Sequence, residues 1–544
     1  MEQLKAKIKL PSSQNLLNTL FILLFMAQTL AHLFTNSGLL NVDELEHIHA
    51  SWLVWSGKTP YLDFFEHHNP LLWYLFAPIT GFMFDNVNIY YVARFSVFLA
   101  VLTSWFFIYK IITRYFGTGK QWVLALLLFS CGDYLSRNFV EFRPDVFMNL
   151  CFWSGLYFLF RYFETKQSIK LTISFALFTL SFFFLQKIIL LLFFLGAFIF
   201  YALIKKQIKY QDFFKALCLP LLLFGIFTAW LFWHNMFALY FELNYKLNSL
   251  IPVYYGFHII KTTPLNTIIN MPTTLGYATI TLTPSIILFS CAAILFYPVF
   301  LSYNTIYSKC IIFLLFAELG IRLLTFSPYA HYFSLFFELA AVVIACSFFK
   351  HDTPLKNKLY HTALGISCII FASFIYTNEP SKNSSTTVLR MADYVIKNTS
   401  PDETVFNADN CIYNLFRPDP YYVWFQLNDI GYIYETNFGK KTNLDALITQ
   451  KMPAVIFAKD YTNTPLNERR AKKLYEYNAD LVRLYQNVNI PDYALTDLMV
   501  KIPSVDAYIW NQELINKYYK TTEIEQLMIL KDEYRTKTQD KKHD

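Results

Sequence analysis

Long apolar runs separated by short polar intervals fill the first 377 residues, and their lengths predict what they are. The run Leu16 to Phe34 is about as long as the ~20 residues a bilayer core asks of a helix, and no small-residue cleavage pattern follows it. It is therefore predicted to be a retained spanning helix. Further spans are predicted at Ile89–Ile112, Gln121–Ser136, Val146–Phe163, Ala216–Phe237, Leu275–Leu301, Lys309–Phe326, Phe333–Phe349 and Leu359–Thr377. The stretch Leu171 to Ile204 is apolar except for Gln186 and Lys187 near its middle, and both its ends carry basic charge. It must cross an even number of times, as two short helices with Gln186 and Lys187 at the turn between them. The total is about 11 transmembrane helices.

After Asn378 runs of spanning length disappear and charge, Asn and Asp become frequent. A soluble α/β unit is predicted over residues 378–530, with helices at Val388–Asn398, Asn443–Gln450, Leu466–Asn478 and Gln512–Lys531. Its β-like runs are Thr404–Asn407, Ala454–Ala458 and Leu481–Tyr485. The mixed-charge tail, residues 531–544, reads as disordered.

Composition agrees with this division. At 55% hydrophobic and 16% charged residues, the chain is too apolar for a soluble protein of 544 residues and fits a polytopic membrane protein. The net charge of +7 is then explained by topology and not by a nucleic-acid partner. Basic groups at Lys5/Lys7/Lys9, Lys110/Arg114/Lys120, Arg161/Lys166/Lys170, Lys205/Lys206/Lys209/Lys215, Lys309 and Lys350/Lys356/Lys358 border the apolar segments as inside loops. The alternate intervals, Thr35–Asn88, Arg137–Asp145, Ala238–Thr274 and Ser327–Tyr332, are outside loops. The amino terminus is thus inside, and everything after Asn378 is outside. Seven of the eight cysteines lie in apolar runs and only Cys411 in the outer unit, so buried free thiols are expected there and no disulfide framework.

The chemistry concentrates between Asn41 and Tyr74, in the first outside loop. Val42, Leu45, Ile48, Trp52 and Trp55 recur at three and four residues, which predicts an amphipathic helix lying along the membrane surface. Gly57 and Pro60 break it, and Asn69 with Pro70 begins another helix. The loop gathers Asp43, Glu44, His47, Asp63, Glu66, His67 and His68 at the bilayer boundary. A solvated polar face accounts for any single histidine. The adjacent carboxylates of Asp43 and Glu44, so close to lipid, are better explained by function. Other outer candidates are Arg137, Glu141, Arg143 and Asp145, then Lys187, Arg322 with Glu318 one helical turn before it, and His331. Pairing across Pro144 accounts for Arg143 and Asp145 as well as a catalytic role does, and a helical ion pair accounts for Glu318 and Arg322.

The run Asp43-Glu44, Gly57, Pro60-Tyr61, Asp63-Phe64-Phe65 and Asn69-Pro70-Leu71, followed by Arg143-Pro144-Asp145, Gln186-Lys187 and Pro328 through Tyr332, resembles a known family. It looks like the polytopic GT-C glycosyltransferases of the protein mannosyltransferase and aminoarabinose transferase type, over roughly Leu16 to Phe349. The fold class expected is an α-helical polytopic membrane protein of GT-C type with a C-terminal soluble α/β domain. Residues 1–377 would form the transferase module and residues 35–88 its catalytic loop.

The resemblance implies transfer of a sugar from a polyprenyl-phosphate donor to a lipid A, glycan or protein acceptor on the outer face. Asp43 would be the base, with Glu44 beside it as a coupled carboxylate and Asp145 as the second acidic position. Arg143, Lys187, Arg322 and His331 are the cations available to the donor phosphate, while Tyr61, Asp63, His67 and His68 belong to the loop that covers the substrate. Phe, Ile, Lys and Asn usage leans towards a bacterial inner membrane, with a cytoplasmic amino terminus and a periplasmic C-terminal domain. Glu44, His47 and His67 are donors of the kind that bind zinc or manganese, but His47-x-His49 splits two rings onto different helix faces, so a metal-free, cofactor-free site is expected. The competing classes are a lipid-linked glycan transporter or flippase and a non-catalytic membrane scaffold. Titratable groups gathered at one face favour the enzyme, since transporters place such groups near the midplane.

Overall fold

The computed structural model describes residues 13–34, 42–132, 141–250, 277–325, 333–377, 385–406, 413–424, 430–439, 443–457, 512–524 and 527–535. The expectations for Arg137, His331, Cys411, the 466–478 helix and the 481–485 run lie outside these residues.

Among the described residues up to 377, the regular elements are helices. In chain order these are α1 (Ser13–Phe34), α2 (Val42–Trp55), α3 (Leu71–Phe82), α4 (Ile89–Tyr115), α5 (Gly119–Gly132), α6 (Pro144–Thr165), α7 (Ser168–Phe184) and α8 (Ile189–Ile204). There follow α9 (Tyr210–Trp233), α10 (Phe237–Phe241) with a π turn at Glu242–Leu247, α11 (Tyr277–Leu301), α12 (Ile306–Thr325), α13 (Ser334–Phe348) and α14 (Pro354–Thr377). All but α2, α3 and α10 fall on the predicted spans. Helix is the form such runs must take in lipid, because it satisfies every backbone group within the segment. Among the described residues three segments, Ile89–Tyr115, Gln186–Ile204 and Tyr210–Trp233, are long and apolar enough to cross a membrane by length and composition. On the last two, Phe193, Phe200, Leu221, Ile226 and Trp233 stand more than half exposed, a surface that hydrocarbon covers and water does not tolerate.

Leu171–Ile204 divides as its charge pattern requires. α7 ends at Phe184, Leu185 turns extended, and a 3₁₀ turn at Gln186–Ile188 opens into α8. α6 and α7 approach closely because Gly155 faces Phe178: a Cβ there would meet the ring at 2.7 Å. Ser174 Oγ donates to the Gly155 carbonyl across the same gap (2.8 Å). Small residues permit this packing in membranes, where backbone approach replaces the hydrophobic drive.

The basic intervals meet one another in space. Lys120 Nζ lies 3.0 Å from Asn357 Oδ1 and 3.6 Å from Asp352, and Lys166 Nζ donates to the Gln207 carbonyl at 2.7 Å. Cys151, Cys310, Cys346 and Cys368 are buried thiols as expected, whereas Cys218 and Cys291 are exposed on helix faces.

After α14 come α15 (Ser385–Asn398), β1 (Val405–Phe406), α16 (Ile430–Asn437), the short α17 (Leu444–Ala446) with a π turn at Leu447–Lys451, β2 (Val455–Phe457), α18 (Gln512–Tyr518), β3 (Tyr519–Thr521) and β4 (Leu527–Leu530). The sheet order is β1-β2-β4-β3, parallel between β1 and β2 and antiparallel elsewhere. The helix predicted over Gln512–Lys531 is thus corrected: only its first turns are helical, and the rest is a β-hairpin. Leu527 and Leu530 are buried, and Val455↔Ile529 pairing completes a sheet that local helical spacing cannot reveal. The predicted disordered tail is corrected at its start. Tyr534 packs on Tyr518, and Arg535 Nε donates to Glu403 Oε1 at 2.5 Å.

Candidate functional site

α2 carries the predicted apolar stripe, with Leu45, Ile48 and Trp52 buried and Trp55 exposed. Its polar side, however, is also enclosed: Glu44, Glu46, His47 and His49 are each at most 1% exposed. The expectation of a helix with a solvated polar face is therefore corrected. Protein covers that face, from α3, α4, the loop before α3 and the C-terminal unit.

Glu44 is an anchor. Arg94 grips it with both arms (Nε to Oε1 2.8 Å, Nη2 to Oε2 2.6 Å), the Phe142 N–H donates to Oε1 at 2.9 Å, and the Arg94 guanidinium lies 4.4 Å above the Tyr90 ring. Its oxygens are occupied in holding α2 to α4 and to the start of α6, a bidentate geometry that fixes orientation. Arg94 was invisible to motif reasoning. Its signal was that it is the one charge in the apolar stretch of α4 before Lys110, where a charge must face a partner.

Asp43 differs. Its side chain is 26% exposed and its Oδ2 accepts from Arg143 Nη1. Arg143, itself buried at the start of α6, lies 3.5 Å from Asp145 Oδ2 and 3.9 Å from Glu141 Oε2, so one guanidinium serves three acids. Burial pushes the Asp43 carboxyl up, but the Arg143 charge and the Arg143 hydrogen bond lead the influences that outweigh it and hold the group below its ordinary value. Asp43 is an anion at neutral pH. Lys187 lies within electrostatic reach of Asp145, Arg143, Arg322 and Asp43, so residues from four separate elements share one field. Arg322 comes oriented by Glu318, as expected of residues one helical turn apart (Nε to Oε1 2.6 Å).

The loop between α2 and α3 is pinned by its own polar groups. Gly57 (φ +84°) takes the left-handed turn after α2, and Tyr61 (φ +69°) is held in the same region by its N–H to the Phe64 carbonyl and its hydroxyl to the His68 carbonyl (2.5 Å). Asp63 is exposed and accepts from the Thr59 N–H at 2.6 Å, a turn contact. Asn69 does not cap α3. Its side chain donates to the Phe182 carbonyl and accepts from Tyr240, while its N–H donates to Gln186 Oε1. Gln186 Nε2 and Asn248 Nδ2 both donate to the His67 carbonyl, at 2.8 and 3.0 Å.

This folding brings Glu46 of α2 against Glu66, His67 and His68. One ligand-capable atom from each lies within 4.8 Å of the others. Glu46 was not singled out in the sequence, and the anticipated set of Glu44, His47 and His67 is not the one assembled: Glu44 is committed to Arg94, and His47 Nδ1 accepts from Trp73 Nε1 at 3.1 Å. Burial, with the Glu66 charge beside it, raises Glu46 well above the usual carboxylate range, and burial, with the Asp43 charge, raises Glu66 likewise. Burial pushes the His47 and His67 imidazoles down to about 3, so both rings are neutral.

The C-terminal unit closes the other side of α2. His49 sets Nδ1 3.0 Å from the Leu415 carbonyl and Nε2 2.8 Å from Asp419 Oδ2. Trp424 Nε1 donates to the Phe65 carbonyl, the Phe65 N–H to the Tyr422 carbonyl, and the Tyr422 hydroxyl to the Tyr61 carbonyl. Arg417 Nη1 donates to Asp85 Oδ1 at 2.6 Å.

Residues 67–233 match the family model for dolichyl-phosphate-mannose-protein mannosyltransferase, a family of the GT-C glycosyltransferase superfamily. The matched segment contains His67, His68, Arg143, Asp145 and Lys187 and ends with α9, whereas Asp43, Glu44, Tyr61 and Asp63 precede it. No curated protein sequence matches the chain.

Proposed function

We propose, from the premise that this is a membrane glycosyltransferase of the GT-C type, as its family match indicates, that it moves a sugar from a polyprenyl-phosphate donor to a lipid, glycan or protein acceptor. The reaction is a single displacement with inversion. The observation that carries this reading is the Asp43–Arg143 pair at the partly open end of α2, inside the field shared by Asp145, Lys187 and Arg322.

Asp43 takes the proton of the acceptor hydroxyl or amine as that group attacks the anomeric carbon. The bond between that carbon and the phosphate oxygen breaks, and the lipid phosphate leaves with the electron pair. Negative charge grows on the phosphate, and Arg143, Lys187 and Arg322, with His331 as a fourth cation, stabilise it in a site shielded from water. A carboxylate less basic than usual suits proton transfer late in such a displacement. Asp145 orients the sugar or the acceptor. Glu44 acts through Arg94 as a positioning residue.

The chain crosses the membrane about eleven times, with the amino terminus cytoplasmic and the first loop and C-terminal unit on the periplasmic face of a bacterial inner membrane. Contacts from Phe65 and His49 to the C-terminal unit support a shared face for the two.

The test is sugar transfer by purified protein from a panel of polyprenyl-phosphate sugars, wild type against Asp43→Asn. The expected loss in kcat is about 10²–10⁴-fold, with donor binding retained. Equal turnover removes Asp43 from the mechanism.

A further inference from the structure

The cluster of Glu46, Glu66, His67 and His68 has no part in the displacement above. We propose that it is a divalent transition-metal site, of zinc or manganese type, that clamps the first loop to α2.

Three observations carry the assignment. First, two carboxylates and two imidazoles converge with their donor atoms within 4.8 Å of one another, near the spacing a tetrahedral shell requires. Second, Glu46 and Glu66 are at most 1% exposed, and among the described residues neither has a lysine or arginine within ion-pair distance. Two carboxylates side by side away from water, with only the His67 N–H at 3.3 Å and imidazoles for company, are costly to ionise, and a dication between them offsets their charge. Third, Glu46 Oε1, Glu66 Oε1 and His68 Nδ1 make no hydrogen bond. His68 Nδ1 stands 3.4 Å from Glu46 Oε1 and 3.7 Å from Glu66 Oε2, ion-pair distances rather than close hydrogen bonds, and well placed to bind something between them.

The donor set selects the ion. Neutral imidazole with carboxylate suits zinc and manganese, and disfavours magnesium and calcium, which take all-oxygen shells. Four protein donors close a tetrahedral shell, which is the form of a structural site and not of a catalytic one that keeps a position open. The backbone that carries the ligands is already fixed: the His67 carbonyl accepts from Gln186 and Asn248, and the His68 carbonyl from Tyr61. Such outer contacts orient metal ligands. Glu46 lies three residues after Asp43 on α2, so an ion here fixes the helix turn that presents Asp43.

The experiment uses the full-length protein in detergent. Wild type is stripped with a zinc chelator, then titrated with ZnCl₂, MnCl₂ and CoCl₂, and metal content, Tm and the cobalt visible spectrum are read. Expected are one tightly held zinc or manganese per chain, a Tm that falls on stripping and recovers on reloading, and cobalt d–d bands of tetrahedral intensity. Glu66→Gln and His68→Asn should each lose the bound metal and the metal-dependent Tm rise. The wild-type readouts stand even where a variant fails to fold. A wild type that takes up no metal, or whose Tm ignores stripping and reloading, overturns the proposal and leaves Glu46 and Glu66 as a proton-sharing pair. Metal retained by both variants places it elsewhere and overturns it equally. None of these readouts depends on sugar transfer.

Discussion

Asp43 and Glu44 are neighbours in sequence and opposites in circumstance. Glu44 is sealed beneath a bidentate arginine, while Asp43 keeps a quarter of its side chain exposed beside Arg143. The difference predicts a pH effect whose sign can be worked out. Burial alone would raise the Asp43 carboxyl, and Arg143 is the largest influence holding it down. In Arg143→Gln the raising influence remains and the main lowering one is gone, so Asp43 stays protonated to higher pH and cannot accept a proton there. The acid limb of kcat/KM should move to higher pH than in wild type, with activity partly restored as pH rises. A uniform loss of activity at all pH values would mean that Arg143 acts only on the donor phosphate. The sequence made Asp43, Arg143, Asp145 and Lys187 legible because acids and cations at span boundaries are rare. Arg94 and Glu46 were hidden, since what distinguishes each is a partner supplied by another element.

At the scale of elements, hydropathy was a sound guide wherever length decided the outcome. The predicted break of Leu171–Ile204 at Gln186 is met to the residue, because two polar groups in the middle of an apolar run have no stable place except a turn. α2 was misjudged for the converse reason: its apolar stripe says which face is buried, but nothing in α2 says that its other face will be covered too. The hairpin at Tyr519–Leu530 was misread as helix because its pairing partner, β2, lies more than sixty residues earlier in the chain. The packing of α6 on α7 gives an element-scale prediction. Gly155→Leu drives a side chain into the Phe178 ring and should destabilise the bundle by about 1–3 kcal/mol, seen as a lower Tm in detergent. An unchanged Tm would show that α7 can shift away without loss.

On the scale of the whole molecule, the two ends of the bundle are chemically distinct. At one, basic loops meet through Lys120 and Lys166, and the other gathers buried acids, imidazoles and the C-terminal unit. The unit is joined to the loop by a main-chain hydrogen bond as well as side chains, and Trp424 reaches the Phe65 carbonyl across 359 residues of sequence. That contact has a consequence for the order in which the protein is made. The helices of the bundle emerge from the ribosome first, yet the covered face of α2 waits for residues 413–424 to be synthesised. The proposed sugar transfer should therefore stay silent until the final quarter of the chain arrives. A chain stopped after Thr377 should insert and bind donor weakly but transfer no sugar, and supplying residues 378–544 as a separate exported chain should restore part of the activity. Full activity in the shortened chain would show that the loop needs no cover.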